Sequence, residues 1–289
     1  MNDIDFCSEE SEIFDSVVEI CTTCITSLNK RDVLRMYRSW KQGFFDIENS
    51  EDFVRCKSVI AKDFLLPSAL SYLGIDFPTW LNFKYSKEIR RRIMIVGIDP
   101  LRDDENPAQV SIGTPYALHH KKMRDGRTGE YWKFIQSLAA DYSIYMTDIF
   151  KVFFYSGSGK TNRSYRNRNF TTNALHQEIL AKEIKIVKPD IIITMGNIAT
   201  KLVLDDRKQR FSPISKRNIF EKKGVTHRSN TEIIPMVHLS GSSRKGQKIF
   251  IETNYKLAKV GSNGHLYSEI IKTYLDAREV CKACEGEAD

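Results

Sequence analysis

The sequence lacks the long apolar run that a membrane-spanning helix needs. None of its apolar stretches approaches the roughly 18 residues that such a helix requires. The first twenty residues are acidic, whereas a secretory signal begins with a basic segment. Six cysteines in 289 residues are too few for a disulfide scaffold of this size. We therefore expect a cytoplasmic globular protein that does not contact a membrane.

The cysteines that are present form two C-x-x-C pairs, Cys21 with Cys24 and Cys281 with Cys284. Two such pairs can complete a four-thiolate zinc or iron–sulfur site if the chain ends meet. Both pairs lie in segments of helical character, where cysteines three residues apart are often packing residues. We favour packing, and we assign neither a metal nor a cofactor to the chain.

The composition is that of a globular protein with a basic bias. Apolar residues make up 41% and charged residues 28% of the chain, which is long enough to bury a full core. The 44 Lys and Arg outnumber the 37 Asp and Glu, so the net charge is +7. This excess permits binding to a polyanion such as nucleic acid, and it is equally compatible with a solvated basic surface.

The apolar pattern changes near residue 85. Residues 9–80 carry apolar side chains at helical spacing, such as Ile13, Val17 and Ile20. From Arg92 onward, short apolar runs rich in β-branched residues indicate buried parallel strands. These runs are RIMIVGI, YSIYMTDIF, DIIITMG and IIPMVHL.

Helical stretches over 129–140 and 172–187 separate these runs. Strands that alternate with helices predict an α/β fold, here a three-layer sandwich with a central, mainly parallel sheet. We predict a helical N-terminal extension over 1–85 and one α/β domain over 86–289. Ligands of such sheets bind beyond the carboxyl ends of the strands. That rule selects three loops, which contain GIDP (97–100), DIFK (148–151) and HLSG (238–241).

A further segment, 150–170, is rich in Gly, Ser, Asn and Arg and has no apolar periodicity. Its cations include Arg163 and Arg166, which are suited either to phosphate contacts or to a solvated loop. The string GSGKT within it resembles the end of a nucleotide-binding P-loop. The full pattern requires a glycine where Phe154 stands, and no helical stripe follows. We therefore do not predict an NTPase.

The order of five segments resembles the uracil-DNA glycosylase superfamily. The segments are GIDP, IGTPY, MTDIFK, EIKIVKPDIIITMGNIAT and VHLSG, and the resemblance runs from about Arg91 to Tyr274. It implies an enzyme that flips a base out of DNA and hydrolyses its N-glycosidic bond with water. DNA is then the expected partner, and no lysine stands at a matched position to act as an amine nucleophile.

The resemblance implies roles for the residues of the three loops. Asp99 would stabilise the oxocarbenium-like sugar and orient the water, although it can also be a turn cap. His238 would donate to the departing base, although a strand-end histidine is more often structural. In this sequence Leu239 replaces the usual proline and would act as a wedge in the base stack. Phosphate contacts are expected from the residues that follow, Ser240, Ser242, Ser243, Arg244 and Lys245.

The base-binding set implied by the resemblance is Ile98, Tyr116 and Asp148. Tyr116 would stack on the flipped base, with packing as the alternative. Relatives that read uracil generally carry Asn where Asp148 stands. An ionised Asp only accepts hydrogen bonds, which fits the N4 amine of cytosine and not the O4 atom of uracil, whereas a protonated Asp148 could donate one hydrogen bond and would discriminate less.

Excision of ordinary cytosine would destroy the host genome. We therefore hypothesise a modified cytosine of phage DNA, such as a hydroxymethylated or glucosylated one, as the target. A uracil or thymine-mismatch repair glycosylase and a non-catalytic nucleic-acid-binding module remain the alternatives.

Overall fold

The structure is a computed structural model that describes residues 4–44, 53–56, 71–83, 90–100, 109–155, 173–204, 225–226, 231–254 and 261–286. The strands of this part of the chain are β1 (Phe53–Cys56), β2 (Ser71–Asp76), β3 (Thr79–Leu81), β4 (Arg92–Gly97), β5 (Gln109–Gly113), β6 (Ser143–Asp148), β7 (Val152–Tyr155), β8 (Ile191–Met195), β9 (Val225–Thr226) and β10 (Glu232–Met236). Its α-helices are α1 (Phe14–Ile20), α2 (Lys30–Gly43), α3 (Lys121–Asp125), α4 (Gly129–Ala139), α5 (Asn173–Val187), α6 (Asn197–Val203), α7 (Arg244–Asn254) and α8 (Asn263–Gly286).

The main sheet has six strands in the order β3-β6-β4-β8-β10-β9. Its four central strands, β6, β4, β8 and β10, are parallel, and an antiparallel strand closes each edge. The central strands are the four apolar runs of the sequence, and their burial explains why those runs lack polar alternation. The parallel α/β sheet with helices between its strands confirms the predicted fold class.

A second, four-stranded sheet has the order β1-β5-β2-β7. Only β2 and β5 are parallel, and the outer pairs are antiparallel. Strand β7 follows β6 directly, after Ile149–Lys151, so the two sheets are adjacent in the chain at the end of β6. The sequence did not predict this sheet.

Among the described residues of the N-terminal part, the helices lie in its first half. Helices α1 and α2 confirm the helical spacing, whereas β1, β2 and β3 are strands within the range predicted as helical. Pairing decides their conformation: β3 lies against β6 of the main sheet, and β2 lies between β5 and β7. Helices α1 and α2 contribute to the same hydrophobic core as the main sheet. The N-terminal residues therefore extend this sheet and cover it.

Cys21 lies in a π-helical turn, Cys21–Ile25, that continues α1. Its side chain is buried, its Sγ is 3.7 Å from the Tyr37 hydroxyl, and burial raises its pKa to about 12. Cys21 is therefore a packing residue in the core. The described residues contain no group of three or more His, Cys, Asp or Glu side chains arranged to hold a metal. The side chains of Cys281 and Cys284 lie outside this description.

None of the described helices combines the length and the apolar character that crossing a membrane requires.

Candidate active site

The candidate site begins where β4 and β6 end side by side, with Gly97 opposite Asp148. A Cβ atom on Gly97 would lie 2.1 Å from Asp148 Oδ1 and 3.1 Å from Tyr116 Oη. Only glycine allows this approach, because real Cβ atoms do not come so close to another heavy atom. The absence of a side chain on Gly97 thus brings the Asp148 carboxylate and the Tyr116 hydroxyl together. Asp148 is buried, with 4% of its surface exposed.

The GIDP loop is fastened to the loop after β6 by backbone hydrogen bonds. Ile149 N donates to Gly97 O at 3.2 Å, and Phe150 N donates to Ile98 O at 2.9 Å. Ile98 is half-buried against the core, and Asp99 follows it, also half-buried. The carboxylate predicted to act at the sugar therefore stands two residues beyond Gly97, at the carboxyl edge of the sheet.

Tyr116 lies in a short 3-10 turn, Pro115–Ala117. It has a left-handed backbone with φ of 58°, and Ala117 follows with φ of 52°. Its ring is half-buried, and its Oη atom is buried without a hydrogen-bond partner among the described residues. Burial raises the pKa of Tyr116 well above its usual value, and Tyr131 and Asp148 raise it further. Tyr116 therefore presents a neutral hydroxyl beside the Asp148 carboxylate.

Tyr131, on α4, joins Tyr116 to His238. Its ring stacks on the Tyr116 ring with centroids 4.3 Å apart and an interplanar angle of 18°. Its hydroxyl oxygen is 2.7 Å from His238 Nδ1, and it also accepts the Leu239 amide at 3.0 Å. Tyr131 thus stacks on the face of the Tyr116 ring and hydrogen-bonds to a ring nitrogen of His238.

The hydrogen bonds around His238 define its tautomer. The Ser240 amide donates to Nδ1 at 3.2 Å, and an amide N–H cannot accept. Nδ1 is therefore unprotonated, so Tyr131 must be the donor in the second contact to this atom. The neutral imidazole then carries its proton on Nε2. This arrangement makes His238 a hydrogen-bond donor through Nε2.

The family comparison agrees with this geometry. The model of the Uracil DNA glycosylase superfamily matches residues 83–258, which is more than half of the chain. The chain belongs to this superfamily. The match includes the three loops, and membership indicates a hydrolase of the DNA glycosylase type. A search of curated proteins gave no match.

Three hydrogen bonds from two residues fix the end of the last parallel strand and the loop after it. Gly196, with φ of 95°, ends β8 and donates its amide to Met236 O at 2.8 Å. Gln247, on α7, donates to His238 O at 3.0 Å and to Ser240 O at 2.7 Å. The HLSG loop is therefore held on both sides of its histidine, although it has leucine where the superfamily usually has proline.

The position of Leu239 differs from the predicted wedge. Its side chain is 5% exposed and belongs to the hydrophobic core. A wedge must project into the base stack, and a core leucine would have to give up its apolar contacts to do so. What Leu239 contributes to the site in this structure is its backbone amide, which binds Tyr131.

The predicted phosphate-binding residues of the glycosylase lie around the start of α7. Ser242, Arg244 and Lys245 are exposed, and Ser240 and Ser243 are half-buried. The hydroxyl groups of Ser240 and Ser242 are 2.9 Å apart. Arg163 and Arg166 lie outside the described residues.

The N-terminal helices support the Tyr116 turn. The buried Arg124 guanidinium donates to Leu118 O, just after this turn, and to Phe44 O, at the end of α2. Its Cζ also lies 3.9 Å from the centre of the Phe44 ring. Burial lowers the pKa of Arg124 to about 10, which leaves the side chain charged at neutral pH. Arg124 thus links the segment that follows Tyr116 to the end of α2.

Sequence reasoning missed Tyr131, Gln247 and the buried pair Lys151–Glu183. Each lies on a helix or after a strand without a motif of its own, so only the fold brings it to the site. The Lys151 ammonium donates to the Glu183 carboxylate at 2.6 Å, and both side chains are 0% exposed. The Thr147 hydroxyl also bonds to Glu183, at 2.9 Å. Two members of this network, Thr147 and Lys151, lie close to Asp148 in the chain.

Proposed function

We propose that this glycosylase excises a modified cytosine from DNA by water-mediated hydrolysis and leaves an abasic site. The observation that carries the proposal is the buried Asp148 carboxylate, which lies against Gly97 and beside Tyr116. An ionised carboxylate only accepts hydrogen bonds. It therefore suits the exocyclic N4 amine of cytosine and repels the O4 carbonyl of uracil.

The Tyr116 ring supports a base-binding role as well. Tyr131 covers one face of this ring, and Tyr116 as a whole is still half-exposed. A flipped base stacks on an aromatic face in such enzymes, and the second face of Tyr116 is suited to that contact. The neighbouring Asp148 carboxylate then meets the edge of the base.

Departure of the base requires stabilisation of two opposite charges. Negative charge develops on the base carbonyl oxygen, where a preorganised donor lowers the barrier, and His238 Nε2–H is such a donor. Positive charge develops on the sugar, where the Asp99 carboxylate acts and orients the attacking water. Lys151 is buried in its ion pair with Glu183, so it is not placed to act as an amine nucleophile. The proposed enzyme is thus monofunctional.

Host survival argues for a modified target. A glycosylase that removed unmodified cytosine would attack every gene of its host. A substituent on cytosine that is absent from host DNA, such as a hydroxymethyl or glucosyl group, restricts attack to foreign DNA. We therefore propose defence against phages with such DNA as the biological role.

The test is an excision assay with the purified protein. Duplexes that carry uracil, a G·T mismatch, cytosine or a series of 5-modified cytosines are incubated with it and then treated with alkali to reveal abasic sites. We expect cleavage only at a modified cytosine, and loss of cleavage with retained DNA binding in Asp99→Asn. Cleavage at uracil or G·T would establish the repair alternative. No cleavage at any base would contradict the enzyme proposal and favour the alternative of a non-catalytic nucleic-acid-binding module.

A further inference from the structure

Tyr131 contacts two residues of the proposed active site and has no assigned role. It lies on α4, away from the three loops in sequence, and is buried. Its ring is stacked on Tyr116, and its plane is at 79° to the His238 ring, with centroids 5.4 Å apart. Packing alone explains the two ring contacts, but it does not require a hydrogen bond from the hydroxyl group. The hydroxyl group therefore needs a separate explanation.

The hydroxyl group is part of a directed chain of hydrogen bonds. Leu239 N–H donates to Tyr131 Oη, and Tyr131 O–H donates to His238 Nδ1. Burial raises the pKa of Tyr131 well above its usual value, so the phenol keeps the proton that it donates. Because Leu239 directly follows His238, the same tyrosine binds the histidine ring and the backbone beside it.

We propose that Tyr131 is a positioning residue that holds the orientation of His238, whose Nε2–H tautomer the Ser240 amide sets, while it backs the base-stacking ring of Tyr116. This inference rests on the proposed function for its catalytic consequence. A donor must be held in place before charge develops on the leaving base, since reorganisation during the reaction raises the barrier. Tyr131 provides that restraint from the side opposite to Nε2. It also gives the flipped base and its leaving-group donor one common support.

Tyr131→Phe is the informative variant because it removes only the hydroxyl group and retains the ring that stacks on Tyr116. Tyr267→Phe is its matched control. Tyr267 is also buried and packs edge-on against Phe134 of α4, with centroids 6.3 Å apart. Its hydroxyl is buried without a hydrogen-bond partner among the described residues. The control therefore removes a buried tyrosine hydroxyl without breaking a hydrogen bond of the site.

The first readout is the ¹⁵N NMR spectrum of the histidine side chains, which does not depend on activity. We expect the Nδ1 resonance of His238 to shift in Tyr131→Phe, because Nδ1 loses one of its two hydrogen-bond donors, with no change in Tyr267→Phe. His238 resonances identical to those of the wild type in Tyr131→Phe would overturn the proposal.

The second readout is single-turnover excision of the modified base, measured below the unfolding temperature of each variant. Loss of one orienting hydrogen bond is expected to lower the rate about tenfold. The Kd for DNA should stay unchanged, because the stacking face is retained. An unchanged rate in an active enzyme would also overturn the proposal. If the wild type excises no base, the proposed function fails, and the NMR comparison still decides whether Tyr131 positions His238.

Discussion

Two polar clusters at the end of β6 differ in how completely their polar atoms are paired. In the first cluster, Lys151 and Glu183 form an ion pair with no exposed surface, and two hydroxyl groups donate to the Glu183 carboxylate. In the second, which is formed by Asp148 and Tyr116, the Tyr116 hydroxyl is buried without a hydrogen-bond partner in the described part of the chain. A buried ion pair whose charged atoms are hydrogen-bonded stabilises the fold, whereas a buried hydroxyl without a hydrogen-bond partner can be satisfied by a ligand.

His176, on α5, also contacts the cluster of Lys151 and Glu183. His176 Nδ1 accepts the Lys151 amide at 3.2 Å, and burial lowers the pKa of His176 to about 3. The neutral His176 ring thus belongs to the buried cluster that stabilises the fold at the end of β6. The comparison predicts that substitutions in the Lys151–Glu183 cluster act on stability, and substitutions around Asp148 and Tyr116 act on excision.

The largest expected effect is on stability, from Lys151→Met. This variant leaves the Glu183 carboxylate buried without its cation, which costs about 3–5 kcal/mol of unfolding free energy. The double variant Lys151→Met/Glu183→Leu removes both charges and should recover most of that loss. Chemical denaturation of the three proteins measures the difference. If the double variant is as unstable as the single one, the loss of stability does not come from the unpaired Glu183 charge, and the pair depends on the other residues of its network.

The second expected effect is on catalysis, from Gly97→Ala. The new methyl group would overlap Asp148 Oδ1, so the carboxylate must move. Displacement of a catalytic or binding group by about 1 Å lowers excision on the order of 100-fold. The same substitution in an Asp148→Ala background should cause little further loss, because the clashing carboxylate is absent. Equal losses in both backgrounds would show that Gly97 acts on something other than Asp148.

The contrast between the clusters also explains what could be predicted from the sequence. The four central strands are runs of buried β-branched residues, and local composition alone indicates them. Asp148 and His238 follow such strands, so their place at the sheet edge was predictable by the same reasoning. Tyr131 and Glu183 lie on helices, and only tertiary packing decides which neighbours they meet. Strand β2 likewise owes its conformation to its pairing with β5 and β7.

The third prediction concerns base preference, through Asp148→Asn. An amide can donate to a carbonyl and still accept from a ring N–H, which suits uracil. The ratio of excision rates should shift toward uracil by about 10- to 100-fold, as expected for one base-edge hydrogen-bonding pattern. Rates on the whole panel of duplexes give this ratio. An unchanged ratio would remove Asp148 from the base-binding pocket.

The smallest effect is expected at the surface, from Lys245→Ala. Lys245 is exposed in the first turn of α7, just after the loop that holds His238, where a phosphate contact would not alter the chemistry. Loss of one such contact should weaken binding to all sequences alike and reduce the slope of log Kd against log salt by about one. Lys30→Ala is the charge-matched control, since Lys30 lies on α2 and pairs with Asp15. A similar reduction in slope for both variants would mean that the net charge of +7 attracts DNA without a contact at α7.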